Sequence, residues 1–101
     1  MALKLRLDPQ AKRDLVEIRG YLLEKAGTAS ADRVRHHLPR RFKRLLTKPM
    51  LGVETAEPGV LYLAPIRYPY RIYYTVTAVD VVILHIRHSS RLEPGLGELG
   101  H

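Results

Sequence analysis

Residues 70–87 read YRIYYTVTAVDVVILHIR, and their interpretation decides the fold. Tyr70 to Val76 is rich in aromatic and β-branched residues, which predicts a strand. Val81 to Arg87 predicts a second strand, and Thr77 to Asp80 the turn between them. Period-two alternation sorts the first strand into Ile72, Tyr74 and Val76 on one side, and Arg71, Tyr73 and Thr75 on the other. In the second strand it predicts Val82, Leu84 and Ile86 inward, with Ile83, His85 and Arg87 outward. If Val76 pairs with Val82, then Tyr73 meets His85 and Arg71 meets Arg87 on one shared face. Two arginines, a tyrosine and a histidine suit an anion such as phosphate. They equally suit a solvated strand face. Two like charges placed opposite one another are unfavourable, which favours an anionic partner.

Working outward, Leu3, Leu5 and Leu7 alternate with Lys4 and Arg6, so Ala2 to Leu7 predicts a half-buried strand. Asp8 followed by Pro9 is a helix start. Ala11, Leu15, Ile18 and Leu22 then carry a helical stripe from about Pro9 to Lys25, ending near Gly27. Thr28, Ser30 and Asp32 offer caps for a second helix, whose stripe is Val34, Leu38, Phe42 and Leu45. Pro39 interrupts it, but the stripe stays in phase, predicting one helix kinked at Pro39. Pro49 and Gly52 close that helix. Residues 53–59 read as loop and Val60 to Ile66 as a strand.

The predicted order is β-α-α-β-β-β: an α+β domain with a helical hairpin on one face of a small antiparallel sheet. Residues 1–91 form the single domain and 92–101, with three glycines and a proline, a flexible tail. The expected core is Leu15, Ile18, Leu22, Val34, Leu38, Phe42, Ile72, Tyr74, Leu84 and Ile86.

A chain of 101 residues suffices for one modest core. There are no cysteines, which excludes disulfides and thiolate metal sites. No apolar run approaches a membrane span, and MALKLRLD lacks the apolar core of a signal peptide, so a cytoplasmic protein with no membrane partner is expected. The net charge of +7 bears on partners rather than fold. The second helix is the other basic region, with Arg33, Arg35, Arg40, Arg41, Lys43 and Arg44. It reads either as a solvated face or as a contact for nucleic acid or acidic protein. His36 and His37 point in different directions on a helix and predict no metal site. GLGELG in the tail follows no strand and opens no helix, so it is no dinucleotide fingerprint. No cofactor is expected. Ser89 and Ser90 are too local to His88 to act with it as nucleophile and base.

Four segments resemble the ParE/RelE superfamily of toxins from bacterial toxin–antitoxin modules. LDPQAKRDLVEIRGYL (7–22) is similar to the family's first helix, and LLTKPMLG (45–52) to its helix end, where Pro is followed by Gly. PYRIYYTV (69–76) and ILHIRHSSR (83–91) resemble its last two strands. The resemblance implies a small toxin held in a hetero-oligomer by an antitoxin with an acidic C-terminal segment. Leu15, Leu22, Arg41 and Arg44 are the expected antitoxin contacts.

RelE-like members are ribosome-dependent mRNA endonucleases; ParE-like members poison DNA gyrase. If the chain is an RNase, Arg71 and Arg87 are the charge-stabilising candidates and His85 or His88 the base. Against this, no basic residue lies between Met50 and Ile66, and the tail after Arg91 has no Lys or Arg. His88-Ser89-Ser90-Arg91 resembles the His-x-x-Arg closing the last strand of ParE-like members. The favoured expectation is a gyrase inhibitor touching its target through Arg67, Arg71, Arg87, His88 and Arg91. The alternatives are an mRNA endonuclease acting on the ribosome and a non-catalytic binding module.

Overall fold

The structure, a computed structural model, describes residues 2–89. In chain order it contains β1 (Lys4–Leu7), α1 (Pro9–Lys25), α2 (Thr28–Thr47), β2 (Val53–Glu54), β3 (Leu61–Leu63), β4 (Tyr70–Val76) and β5 (Asp80–His88). One five-stranded sheet has the order β1-β5-β4-β3-β2. The helices pack on one face, giving the expected α+β architecture. Tail residues 92–101 and Arg91 lie outside the described residues.

The sheet is mixed rather than wholly antiparallel. Strands β2 to β5 form an antiparallel meander, but β1 runs parallel to β5, with Leu5 opposite Val81 and Leu7 opposite Ile83. A parallel neighbour needs a crossover connection, and the helical hairpin supplies the start of it. The stretch expected to be all loop contains β2, where Val53 and Glu54 pair with Tyr62 and Leu61. β3 is shorter than expected, and beyond it Pro65 has no N–H to donate to a ladder.

Asp8 caps α1 as its sequence predicts, accepting from the Gln10 N–H at 3.1 Å. At the other end Gly27, with φ 88, joins the helices directly. The second helix therefore starts at Thr28, and none of the three expected side-chain caps is used. Pro39 sits exposed within α2 without splitting it.

Val34, Leu38, Phe42 and Leu45 of α2 lie over Ile72, Tyr74, Val81, Ile83 and Ile86 of the sheet, all buried. The first helix contributes less than its stripe suggests. Only Ala11 and Asp14 are buried along it, while Leu15, Ile18 and Leu22 are partly covered.

The inward set on β5 also differs. Tyr73 pairs with His85 but Tyr74 pairs with Ile83, so Leu84 is an extra residue in a β-bulge. The phase shifts there. Val81 and Ile83 face the helices before the bulge and Ile86 after it; Leu84 is only half-buried. Val76 pairs with Val81, not Val82. The pairs Tyr73–His85 and Arg71–Arg87 lie beyond the irregularity and keep the predicted register.

Candidate functional site

The open face carries the expected cluster. Tyr62, Tyr73 and His85 form a row across three strands, with Arg71 and Arg87 paired beside it. The Tyr62 and Tyr73 rings lie 5.8 Å apart, and the Arg71 guanidinium stands 5.5 Å over the Tyr62 ring. The Arg71 Nε is buried without a hydrogen-bond partner among the described residues.

Facing arginines are tolerated because each head is drawn elsewhere. Arg71 leans on Tyr62, whose ring face attracts cations. Arg87 reaches to Asp14, with Nη1 to Oδ1 at 3.6 Å, and lies 3.4 Å from the His85 Nδ1. His85 also approaches Asp14, at 3.8 Å.

Asp14 is the residue that sequence reading missed. It is 2% exposed, accepts from Gln10 Nε2 at 2.9 Å and from the Ile86 backbone N–H at 2.9 Å. β1 pairs with β5 only as far as Ile83, so farther along β5 has no strand neighbour on that side among the described residues. There α1 brings in a carboxylate that satisfies the backbone and compensates Arg87. A signal existed. Asp14 lies three residues after Ala11 and four before Ile18, on the stripe of apolar residues, where a charge is out of place.

The expected target residues are not all together. Arg71, His85 and Arg87 share the open face. His88 pairs with Tyr70 and packs edge-on against its ring at 5.6 Å, on the helix-facing side. Arg67 sits in the β3–β4 loop, beside α2. There Ile66, Arg67 and Tyr68 make a γ-turn: the Tyr68 N–H donates to the Ile66 carbonyl at 2.7 Å, and Arg67 has φ 69. This is a sparsely populated conformation for a non-glycine residue, costing on the order of 1–3 kcal/mol. His37 holds the turn from α2. It hydrogen-bonds the Ile66 backbone and packs edge-on against Tyr68 at 4.8 Å.

Burial, and then Arg41, Arg67 and Arg40, push the His37 pKa below its ordinary 6.5, against the opposing bond to Ile66. The unfolded chain therefore protonates first as pH falls. Stability is complete above 6.5 and declines as pH drops through it toward the folded-state value. From about pH 7.5 to about pH 5.5, the wild type is expected to lose more thermal stability than His37→Gln. Parallel melting curves across that range would refute this.

The four expected antitoxin contacts divide between two surfaces. Leu15 and Leu22 line an apolar cleft of about 250 Å³ between the outer edges of α1 and α2, with Val16, Ile18, Val34 and Leu38. Arg19 and Arg35 flank it. By helical phase, Arg41 and Arg44 lie on the opposite flank of α2, with His37 and Arg40. Among the described residues no His, Cys, Asp or Glu group of metal-binding size converges, and no helix is long and apolar enough to cross a membrane.

A helical hairpin packed against one face of a mixed sheet is a fold that known structures share. The chromosomal ParDE system from P. aeruginosa superposes with a TM-score of 0.77 at 23% identity, covering 85% of this chain and 95% of that one. The isolated E. coli RelE toxin superposes with a TM-score of 0.63 at 21% identity, over 91% of this chain and 89% of that one. No curated protein matches the sequence at a significant level. The family model for the ParE toxin of the type II toxin–antitoxin system parDE matches residues 5–93. The chain belongs to the ParE toxin family.

Proposed function

We propose that the protein is a toxin that inhibits DNA gyrase when free and is silenced by an antitoxin laid along its helices. The observation that carries the choice of target is the Asp14 network. Arg87 and His85, the charge-stabilising and acid–base candidates for RNA cleavage, are drawn toward a buried carboxylate, and His88 lies on the other side of the sheet. A phosphodiesterase needs those groups directed at one reacting phosphate. Arg71 and Tyr62, both half-buried, remain on the open face as a surface for gripping a target, with the buried Tyr73 ring supporting Tyr62 from beside it. Incubating the purified chain with gyrase, ATP and supercoiled plasmid is expected to trap cleaved DNA. An inert gyrase assay, combined with mRNA cleavage on translating ribosomes, would transfer the proposal to the RelE-like activity.

The antitoxin segment proposed for the α1–α2 cleft is amphipathic and acidic, with apolar residues against Leu15 and Leu22 and carboxylates toward Arg19 and Arg35. Val16 is 72% exposed on the cleft's rim, so changing it leaves the core intact. Val16→Asp is expected to stay as toxic as wild type in cells while escaping the cognate antitoxin by tenfold or more in affinity, as expected for a charge buried in an apolar contact (on the order of 1.4 kcal/mol or above). Full neutralisation of this variant would place the antitoxin elsewhere.

A further inference from the structure

We infer that one flank of α2, carrying Arg33, His37, Arg40, Arg41 and Arg44, forms with Arg67 a track that binds the phosphodiester backbone of nucleic acid. This goes beyond gyrase inhibition and does not depend on it.

Three observations carry the inference. At about 100° per residue, these five positions fall along one side of the helix, beside the stripe that faces the core. From Arg33 to Arg44 the helix advances roughly 16 Å at about 1.5 Å per residue, so the four arginines form a line rather than a point, and His37 adds its ring rather than a charge. Secondly, none of these side chains enters an ion pair among the described residues. Asp32, the only acid within α2, projects from the opposite side by the same helical phase. Thirdly, the β3–β4 loop adds a further arginine to this end of the line. Arg67 is exposed at the centre of a strained γ-turn, held there by the bond from His37 to the Ile66 backbone. The Arg67 guanidinium lies 6.0 Å from the Tyr68 ring.

Like charges lined up without counter-charges raise the local potential, and a polyanion relieves it over the whole length. Arginine forks match phosphate oxygens in pairs. Arginine contacts to phosphate carry no sequence information, so recognition through this line is through the backbone and independent of sequence. An acidic protein segment is the competing occupant, but an evenly charged line with few apolar contacts favours an evenly charged polymer.

The test is fluorescence anisotropy of the full chain with a labelled mixed-sequence duplex, titrated at several KCl concentrations, with neither gyrase nor antitoxin present. Arg40, Arg44 and Arg67 are all exposed, so R40Q/R44Q/R67Q is expected to fold normally. It should bind at least about tenfold more weakly, with a log–log salt slope lower by about 3. A control of equal charge change, K4Q/K12Q/K25Q, alters exposed lysines away from the track and should stay close to wild type. Equal losses in both variants, or wild-type binding by the arginine variant, would overturn the track. Unlabelled competitors at matched ionic strength identify the ligand. Displacement by duplex but not by inorganic phosphate or oligoglutamate supports it. Displacement by oligoglutamate as effective as by duplex would assign the flank to an acidic protein segment instead, and by phosphate alone to a small anion.

Discussion

Gly52→Ala is expected to destabilise the domain by about 2–4 kcal/mol, combining overpacking with broken buried hydrogen bonds. A Cβ at this position would lie 2.6 Å from the Tyr74 hydroxyl, 2.7 Å from the Tyr62 carbonyl oxygen and 2.8 Å from Tyr74 Cε1. None of these neighbours moves cheaply. The Tyr74 side chain is fully buried, and the Tyr62 carbonyl belongs to the β3 backbone. The Tyr74 hydroxyl accepts from the Gly52 N–H and donates to the Pro49 carbonyl, both at 2.8 Å. It thereby ties the segment leaving α2 to the centre of the sheet. Burial raises the Tyr74 pKa, so the hydroxyl keeps its proton and its donor role at neutral pH. Thermal melts should show a drop of at least about 8 °C for a domain of this size. Tyr74→Phe, which removes both bonds without adding volume, should cost about 1–3 kcal/mol. Because the two changes disturb the same contact, the double variant should fall short of their sum. A melting temperature unchanged by Gly52→Ala would show that the segment shifts freely, contrary to the close approach described.

The same contact explains part of what the sequence made legible. Pro49 and Gly52 read locally as a helix stop, which is correct, and the need for glycine comes from Tyr74, 22 residues downstream. Elements whose cause is local were readable: Asp8–Pro9 at the start of α1, the stripe of α2 across Pro39, and the boundaries of β4. The open-face pairs Tyr73–His85 and Arg71–Arg87 were readable too. Alternation holds on either side of the bulge at Leu84, and both pairs lie on one side of it. The bulge itself had no local signature, so the inward set of β5 was misassigned from Val81 to Leu84. Long-range placement was also hidden. Nothing in β1 announces that it pairs in parallel with β5. Arg41 neighbours His37 by helical spacing alone, but Arg67, far along the sequence, became a neighbour only through the return of the β3–β4 loop.

Those placements change what a loss of function would mean. A strand arginine facing another suggested an unmet charge awaiting a ligand. In the folded chain the compensation is internal and arrives from α1. Substitutions at Arg71 and Arg87 therefore test different things. Arg71 contacts only a tyrosine ring among the interactions described for its head, so Arg71→Gln probes target contact with little folding cost. Arg87 is part of the connection between α1 and β5.

Asp14→Ala is expected to be the most damaging single change outside the apolar core, by about 3–5 kcal/mol, the range for removing one partner of a buried charged network. The carboxylate serves the Ile86 N–H, the Gln10 amide, Arg87 and His85 together. Its removal leaves a buried backbone donor without an acceptor and takes a carboxylate away from the Arg87 guanidinium. Against a total stability of roughly 5–15 kcal/mol for a small domain, such a loss unfolds a large fraction of the protein at growth temperature. Asp14→Asn keeps an oxygen for Ile86 but loses the charge, and should cost less, about 1–3 kcal/mol. Urea denaturation of the three proteins should rank wild type above Asn above Ala. The coupling to Arg87 can be isolated. If the carboxylate chiefly offsets that arginine, D14L/R87L should be more stable than D14L alone, because the charge that the carboxylate offset is removed with it. A double variant no better than the single would mean that the bond to Ile86 dominates. In either case the stability of an Arg87 variant has to be measured before its toxicity is read. A folded Arg87→Gln protein that no longer traps gyrase would mark Arg87 as a target contact in spite of Asp14. One that loses toxicity in step with its melting temperature would leave Arg87 as the brace between α1 and the last strand.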